Sequence, residues 1–363
     1  MASNSEFFSD EQRMIRDTAR GFAKNELFPF AASWDEGIDF PNDIYTRMGS
    51  LGLMGMLVSE DWGGSNADHV SYALAIEEIA AGDLGVSTAM SVNNSLVCSG
   101  LESFGNESQK SLFLSPLAKG EVLGCFCLTE PEAGSDASAI KTRAIKEGNE
   151  WVLNGTKQFI TSGSKADYAL VFAVTDPAGG KKGLSCFIVP TATVGYKVSR
   201  IEKKMGQRAH DTAQITFENM RLGPELMLGE EGQGYKIALS NLEGGRIGVA
   251  AQALGGARAA YECALEYAKG RRTFGKAIVE HQAVGFRLAE MATQIEAARL
   301  LIHQAARLRD AQIPCIKEAS MAKLYASEMA ERVCSSAIQT LGGYGYLSDF
   351  PVERIYRDVR VCS

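Results

Sequence analysis

Nowhere in its 363 residues does the sequence carry an apolar run long enough to cross a bilayer, which excludes a membrane-spanning protein. Positive charge is in deficit. Lys and Arg number 37 against 44 Asp and Glu, for a net charge of -7. Non-specific nucleic-acid binding needs clustered cations to displace counterions, so it is disfavoured. Histidine is scarce: His69, His210, His281 and His303, no two at ligand spacing, argue against a metal centre. There is no G-x-G-x-x-G, because Gly232/Gly234 and Gly343/Gly345 both lack the third glycine. G-x-x-x-x-G-K-[ST], H-E-x-x-H and G-x-S-x-G are absent too, which disfavours a Rossmann dinucleotide site, a P-loop, a zincin and a hydrolase elbow. The N-terminal MASNSEFFSDEQ has neither the basic stretch nor the apolar core of a signal peptide. Cysteines are scattered; the nearest pair, Cys125 and Cys127, sits on an apolar run and reads as strand residues rather than a redox or zinc pair. A reducing compartment is expected, either bacterial cytoplasm or, for a processed eukaryotic chain, the mitochondrial matrix.

What is present is a globular balance, 45% apolar and 22% charged. The length exceeds the roughly 250–300 residues at which one core stops growing, so two or three units are expected. Three zones separate by period. Residues 1–120 are helical: Ser9 and Gln12 make a capping box, Ile15, Ala19, Phe22 and Ala23 recur at helical spacing, and further helices are predicted over Val70–Ala81 and Ser87–Phe104. Residues 121–232 turn to β, with strands over Asp167–Val174, Leu184–Val189 and Gln214–Phe217. Turn signals stand at Glu147-Gly148-Asn149, Asn154-Gly155 and Gly179-Gly180, which predict hairpins and an antiparallel sheet or small barrel. Residues 233–363 return to helix. Val284, Leu288, Met291, Ile295 and Ala298 form one stripe; Ala322, Tyr325, Met329 and Val333 form another. The predicted fold is therefore α+β: a helical domain, a middle antiparallel β domain and a helical bundle. Composition and spacing alone stop at that architecture.

Specific segments go further. Phe126–Asp136 (FCLTEPEAGSD) runs an apolar strand into a loop rich in glycine and hydroxyls, able to offer backbone N–H groups to a phosphate or an electron-rich ring, and equally readable as an ordinary turn. Together with Lys157–Gly163 (KQFITSG), Arg271–Gly275 (RRTFG), His281-Gln282 and Gln339–Tyr346 (QTLGGYGY), it closely resembles the acyl-CoA dehydrogenase family, in order and over essentially the whole chain.

The resemblance implies an FAD site. Phe126, Leu128, Thr129, Gly134 and Ser135 match the strand and loop along the flavin, Thr129 hydrogen-bonding the ring and Ser135 also touching the CoA part of the substrate. Phe159, Ile160 and Thr161 match a segment usually reading Trp-Ile-Thr; phenylalanine keeps the aromatic body and loses the indole N–H, and a core aromatic is the alternative reading. Arg271, Thr273 and Phe274, with Arg272 alongside, match the element reaching the FAD pyrophosphate across a subunit boundary, where an arginine fork pairs two phosphate oxygens. His281, Gln282, Gln339, Leu341, Gly342 and Gly343 match the remaining FAD contacts, the two glycines allowing close backbone approach. A cofactor held across subunits implies a homo-oligomer, in this family usually a tetramer. Glu243 and Arg246 match a stretch that contacts acyl-CoA, the arginine reaching toward CoA; Glu243 reads equally as a helix-surface acid.

The chemistry so implied is removal of an α-proton and a β-hydride from an acyl-CoA, giving a trans-2-enoyl-CoA, with electrons passed to an electron-transfer flavoprotein. Most members carry the glutamate base a few residues after the segment matching Asp349–Val361, so no catalytic base is expected within this chain. Either the sequence is cut short before it, or the protein ends there as an inactive FAD- and acyl-CoA-binding protein. PVERIYRDVRVCS holds family register to its end, which favours the first. A minority branch, isovaleryl-CoA dehydrogenases among it, places the base immediately before the arginine matching Arg246; here that residue is Gly245, which cannot serve. The nearest carboxylate, Glu243, lies three residues before Arg246, nearly one helical turn away. The glutaryl branch carries an arginine at the position matching Ser87, and no Lys or Arg lies between Gly85 and Glu107. Butyryl-, isobutyryl- or 2-methylbutyryl-CoA are the expected substrates.

Overall fold

The computed structural model describes residues 8–38, 40, 41 and 43–363, with the side chain of Glu243 outside the description. Helix starts follow the local chemistry. Ser9 Oγ accepts from the Gln12 N–H at 3.1 Å and Gln12 Oε1 from the Ser9 N–H at 3.0 Å, opening the helix Asp10–Phe22. Asp68 caps the helix His69–Gly82 through the Ser71 N–H at 2.6 Å. The helix expected over Ser87–Phe104 is interrupted: Leu84–Ser91 and Ser99–Phe104 flank a wide π turn at Val92–Cys98. Its two asparagines are fully buried and bond outward. Asn93 Nδ2 donates to the Met54 and Leu117 carbonyls, and Asn94 Oδ1 accepts from the Met56 N–H. The turn widens because these non-local bonds hold it open.

The middle sheet comprises β1 (Gly124–Cys127), β2 (Arg143–Glu147), β3 (Glu150–Thr161), β4 (Tyr168–Val174), β5 (Leu184–Pro190), β6 (Tyr196–Ile201), β7 (Thr212–Leu222) and β8 (Met227–Leu228). They run β6-β7-β3-β2-β4-β5-β8, with β1 added on β4. Five pairings are antiparallel, as the turns predict; β1 on β4, and the single contact of β2 with β4, are parallel. The reason is that β1 leaves into the Leu128–Thr142 loop and crosses over instead of folding back through a hairpin. One turn signal is overruled. Asn154-Gly155 lies inside β3, at a shift of register against β7. A Cβ on Gly155 would stand 2.4 Å from Thr142 Oγ1, so the glycine serves a close approach there and not a turn.

The helical zones at either end of the sequence share one apolar core, in which Ile76, Ile79 and Tyr72 pack with Ala253, Leu254, Ile295, Met329 and Val333. The helix Gly234–Gly270 is common to both. Where these zones meet the sheet domain, buried Asp358 accepts from the Gln207 N–H, and Gln207 Oε1 accepts from Thr88 Oγ1 at 2.7 Å. Burial, then the neighbouring Asp83, raises Asp358 to about 7, against the Gln207 N–H and Arg354. A carboxyl whose folded value is raised is favoured protonated, so its contribution to stability is present at low pH and lost as pH climbs through 7. Asp358→Asn keeps the acceptor and removes the charge. Between pH 5 and pH 8 the parent should lose about 2–4 kcal/mol relative to that variant, read as diverging melting temperatures.

Candidate functional site

The residues singled out fall into two groups at opposite ends of the Gly234–Gly270 helix. The first lies on the sheet domain. The β1 loop is tied to β3 by the Gln158 N–H donating to the Thr129 carbonyl at 2.8 Å. Beside it, Lys157 and Glu130 form a buried ion pair at 2.7 Å. Thr129 and Thr161 are half-buried, and Gly134 and Ser135 are exposed. Phe159 sits at the register shift between Lys157 and Ile160, with φ at 59°, and is 64% exposed. That rules out the core-aromatic reading. A bulky side chain held in the left-handed region and turned to solvent is strained, and such strain persists where function needs it. Ile160 and Leu128, by contrast, are buried in apolar clusters, so only their backbones face outward. Phe126 packs on Phe172, ring centres 4.9 Å apart.

The second group lies at the far end. Arg271 follows the helix directly, its N–H bonded to the Tyr267 carbonyl at 2.8 Å, and its guanidinium has no ion-pair partner among the described residues. Arg272–Thr273 and Lys276–Ala277 form a two-stranded ribbon whose tip carries Phe274, 97% exposed with φ at 51°. His281 Nε2 lies 3.3 Å from Thr273 Oγ1, fixing the ribbon's base. Gln282 and Gln339 are exposed, Leu341 is buried, and Gly342 turns the chain with φ at 63° and ψ at -132°, which only glycine adopts freely. A Cβ on Gly343 would meet nothing within 4 Å, so within this chain it lines open space. Tyr267 packs on Tyr344 and Phe350, placing the Gln339–Tyr346 turn beside the ribbon.

Leu128 and Ala133 of the first group pack with Ile237 and Ala238 near the helix start. From Ile237 to Gly270 is about 50 Å at 1.5 Å per residue. A single chain therefore presents two separate faces. Each fits one part of FAD: an exposed aromatic with flanking backbone for the flat ring, an unpaired guanidinium with a ribbon and glycine turn for the phosphates.

The substrate candidates lie early in the same helix. Arg246 is half-buried with no ion-pair partner among the described residues. The Gly245 Cβ position is 3.5 Å from Leu96 of the wide turn, and that of Gly248 is 2.7 Å from Ser91 Oγ and 2.8 Å from the Tyr72 hydroxyl. The face carrying Gly245 and Gly248 thus opposes the π turn and the helix end before it, with Arg246 next to that face. Ser87 is fully buried, donating to the Leu84 carbonyl at 2.8 Å and accepting from Gln252 at 2.9 Å. Sequence reasoning did not find the Lys157–Glu130 pair. Its signal was a lysine at an interior position of a strand.

Fold and site together define a flavin-dependent oxidoreductase of α, β, α build. Models of the acyl-CoA dehydrogenase N-terminal, middle and C-terminal domains match residues 9–121, 125–220 and 232–363. The human mitochondrial short-chain specific acyl-CoA dehydrogenase is 47% identical over 352 residues, covering 97% of this chain and 85% of that protein. The structure of butyryl-CoA dehydrogenase from Megasphaera elsdenii superposes with a TM-score of 0.96 at 42% identity, covering 100% of this chain and 95% of that one. A glutaryl-CoA dehydrogenase from Mycobacterium smegmatis in complex with FADH2 superposes at 0.94 with 33% identity, over 99% and 92%. The chain belongs to the acyl-CoA dehydrogenase family, and its cofactor is FAD. Among the described residues no helix is long and apolar enough to span a membrane, and no His, Cys, Asp or Glu cluster could hold a metal.

Proposed function

We propose that this protein dehydrogenates a short or short-branched acyl-CoA at its α,β bond to a trans-2-enoyl-CoA, in a homotetramer that passes electrons to an electron-transfer flavoprotein. The observation that carries the reading is Phe159, turned out in a strained conformation next to Gln158, whose N–H bonds the Thr129 carbonyl. FAD, when bound, supplies the hydride acceptor. Thr129 and the backbone of Ile160 and Thr161 orient the ring, and Phe159 covers it. Arg246 pairs with the anionic CoA portion, aided by Ser135 on the loop. Arg271, Thr273 and Phe274, with His281, Gln282, Gln339 and the Gly342-Gly343 turn of a second copy, hold the pyrophosphate end, because one chain separates the two faces by about 50 Å.

Two features support a short monocarboxylic acyl group. Ser87 is buried with its hydroxyl already paired, so a distal carboxylate there would be left unpaired. The Tyr72 hydroxyl and Ser91, bonded at 3.0 Å, stand against Gly248. The eight cysteines are free thiols, which supports a reducing compartment, bacterial cytoplasm or mitochondrial matrix. We place the glutamate base outside residues 1–363.

Anaerobic titration of the FAD-loaded 363-residue chain with butyryl-CoA tests both parts. The flavin spectrum should shift on binding without bleaching, since substrate is held but its α-proton has no acceptor. Prompt bleaching would put the base within these residues and make Glu243 the first to replace. A flat spectrum at saturating butyryl-CoA would refute the substrate assignment.

A further inference from the structure

Lys157 is fully buried on β3, and its only described partners are oxygens of the loop opposite. Its ammonium donates to Glu130 Oε1 at 2.7 Å and to the Leu128 carbonyl at 3.0 Å. Glu130, 6% exposed, is itself committed on both oxygens: Oε1 also accepts from the Thr142 N–H at 2.9 Å, and Oε2 from the Lys141 N–H at 2.5 Å. Its backbone closes on Ala133 in both directions, at 3.0 and 3.1 Å. One residue along, Gln158 donates its N–H to the Thr129 carbonyl and is held by Glu202 and Gln214 through its side chain. Next comes Phe159. The pair thus joins the two segments that face the ring, Leu128–Thr129 and Phe159–Thr161, at their roots.

Stability does not explain such a pair. Taking two charges out of water costs as much as their attraction returns, and apolar residues of similar volume would pack as well. What an ion pair with four directional bonds supplies, and packing does not, is register between two irregular segments. One is a crossover loop outside the sheet ladder; the other is a strand whose pairing with β7 is regular at Lys157 and again at Ile160–Thr161 but shifts register between them. The Leu128 carbonyl held by Lys157 leads directly into Thr129, whose side chain would meet the ring in the FAD site proposed above.

We propose that Lys157, with Glu130, is a positioning residue pair for the flavin, fixing Thr129 against Phe159 so that the ring meets its hydrogen bond and its aromatic cover together. The inference rests on the FAD site proposed above. Neither residue touches the ring; each acts through its neighbour.

The test uses the full chain reconstituted with FAD, comparing the parent, Glu130→Gln and the double variant Glu130→Gln/Lys157→Met. The single variant keeps an acceptor for the ammonium and the bond to Leu128 but removes the counter-charge and one of the two carboxylate acceptors, so it should melt below the parent. Where it is folded, its loss of FAD affinity should be smaller than that of the double variant. The double variant leaves no unpaired charge, so its apoprotein should melt near the parent's temperature. It should nevertheless bind FAD roughly tenfold more weakly, the loss of about one hydrogen bond to a fixed partner. Its bound flavin should also show a less structured absorption band and a more negative midpoint potential. If the methionine double variant does not fold, Glu130→Gln/Lys157→Gln takes its place, since the shorter amide does not reach the Leu128 carbonyl. Unchanged affinity, spectrum and potential in a folded double variant overturns the inference and leaves the FAD site standing. A parent chain that takes up no FAD overturns both.

Discussion

Replacing Arg271 by glutamate should lower FAD affinity at least a hundredfold while leaving the fold and its melting temperature nearly unchanged. The stability half follows from exposure: among the described residues the guanidinium has no ion-pair partner to lose, and surface changes of this kind cost within about 0.5 kcal/mol. The affinity half follows from charge. An arginine fork pairs two phosphate oxygens, and glutamate replaces that attraction by repulsion at the same place. The sharper consequence is geometric. Arg271 follows the 37-residue helix and Phe159 lies on the sheet domain by its start, so on the proposed reading each FAD site would draw one face from each of two copies. Arg271→Glu and Phe159→Asp homo-oligomers should both be poor in flavin. Co-expressed with different tags and purified as a mixed assembly, they should recover flavin absorbance at a fraction of the sites, because some sites then take both intact faces. Recovery absent from a well-formed mixed assembly means that both faces serve one chain, and the two-copy arrangement is wrong.

Much of this architecture was legible because it is local. The stripe Leu288, Met291, Ile295, Ala298 falls on the helix Gln282–Asp310, and the β runs at 167–174 and 184–189 became β4 and β5. What was not legible depends on partners distant in sequence. The Asn154-Gly155 pair carries a hairpin's composition yet sits in mid-strand, because Thr142 crosses so close that no side chain fits. The wide turn at Val92–Cys98 is held open by carbonyls 24 to 41 residues away. That the two helical zones share one core needed the packing of Ile79 and Ala80 with Leu254 and Ala257, invisible to any window. Arg271-Arg272 looks, by itself, like any solvated helix end; only resemblance marked it. Phe159 divides the difference. Its identity suggested a ring contact, but the left-handed backbone that turns it outward follows from a register shift no spacing rule encodes.

The shared core also locates the largest stability effect. Glu77, 4% exposed, has Oε1 2.8 Å from Arg299 and 3.0 Å from Arg258, while Glu78 pairs with Arg258 and Arg20 at 2.7 Å each. Four helices from both ends of the sequence meet in this network. Burial opposes ionisation of Glu77, but Arg299 and then Arg258 outweigh it and bring the carboxyl down to about 2. A depressed folded value means that this stability is fully present above the ordinary carboxylate range and is lost as pH falls from about 4.3 towards 2, roughly 3 kcal/mol in all. Glu77→Gln leaves two arginines beside a neutral amide in the core. Breaking a buried pair from one side costs about 3–5 kcal/mol. At pH 7 the variant should melt roughly 4–7 °C below the parent, and the gap should narrow as pH falls from about 4.3 towards 2, where the parent loses the same interaction. Glu328→Gln, at the exposed pair with Arg332, is the control and should shift melting by no more than about 2 °C. A Glu77→Gln protein melting within that margin at pH 7 would mean that packing alone joins the helical zones, with the buried charges contributing nothing net.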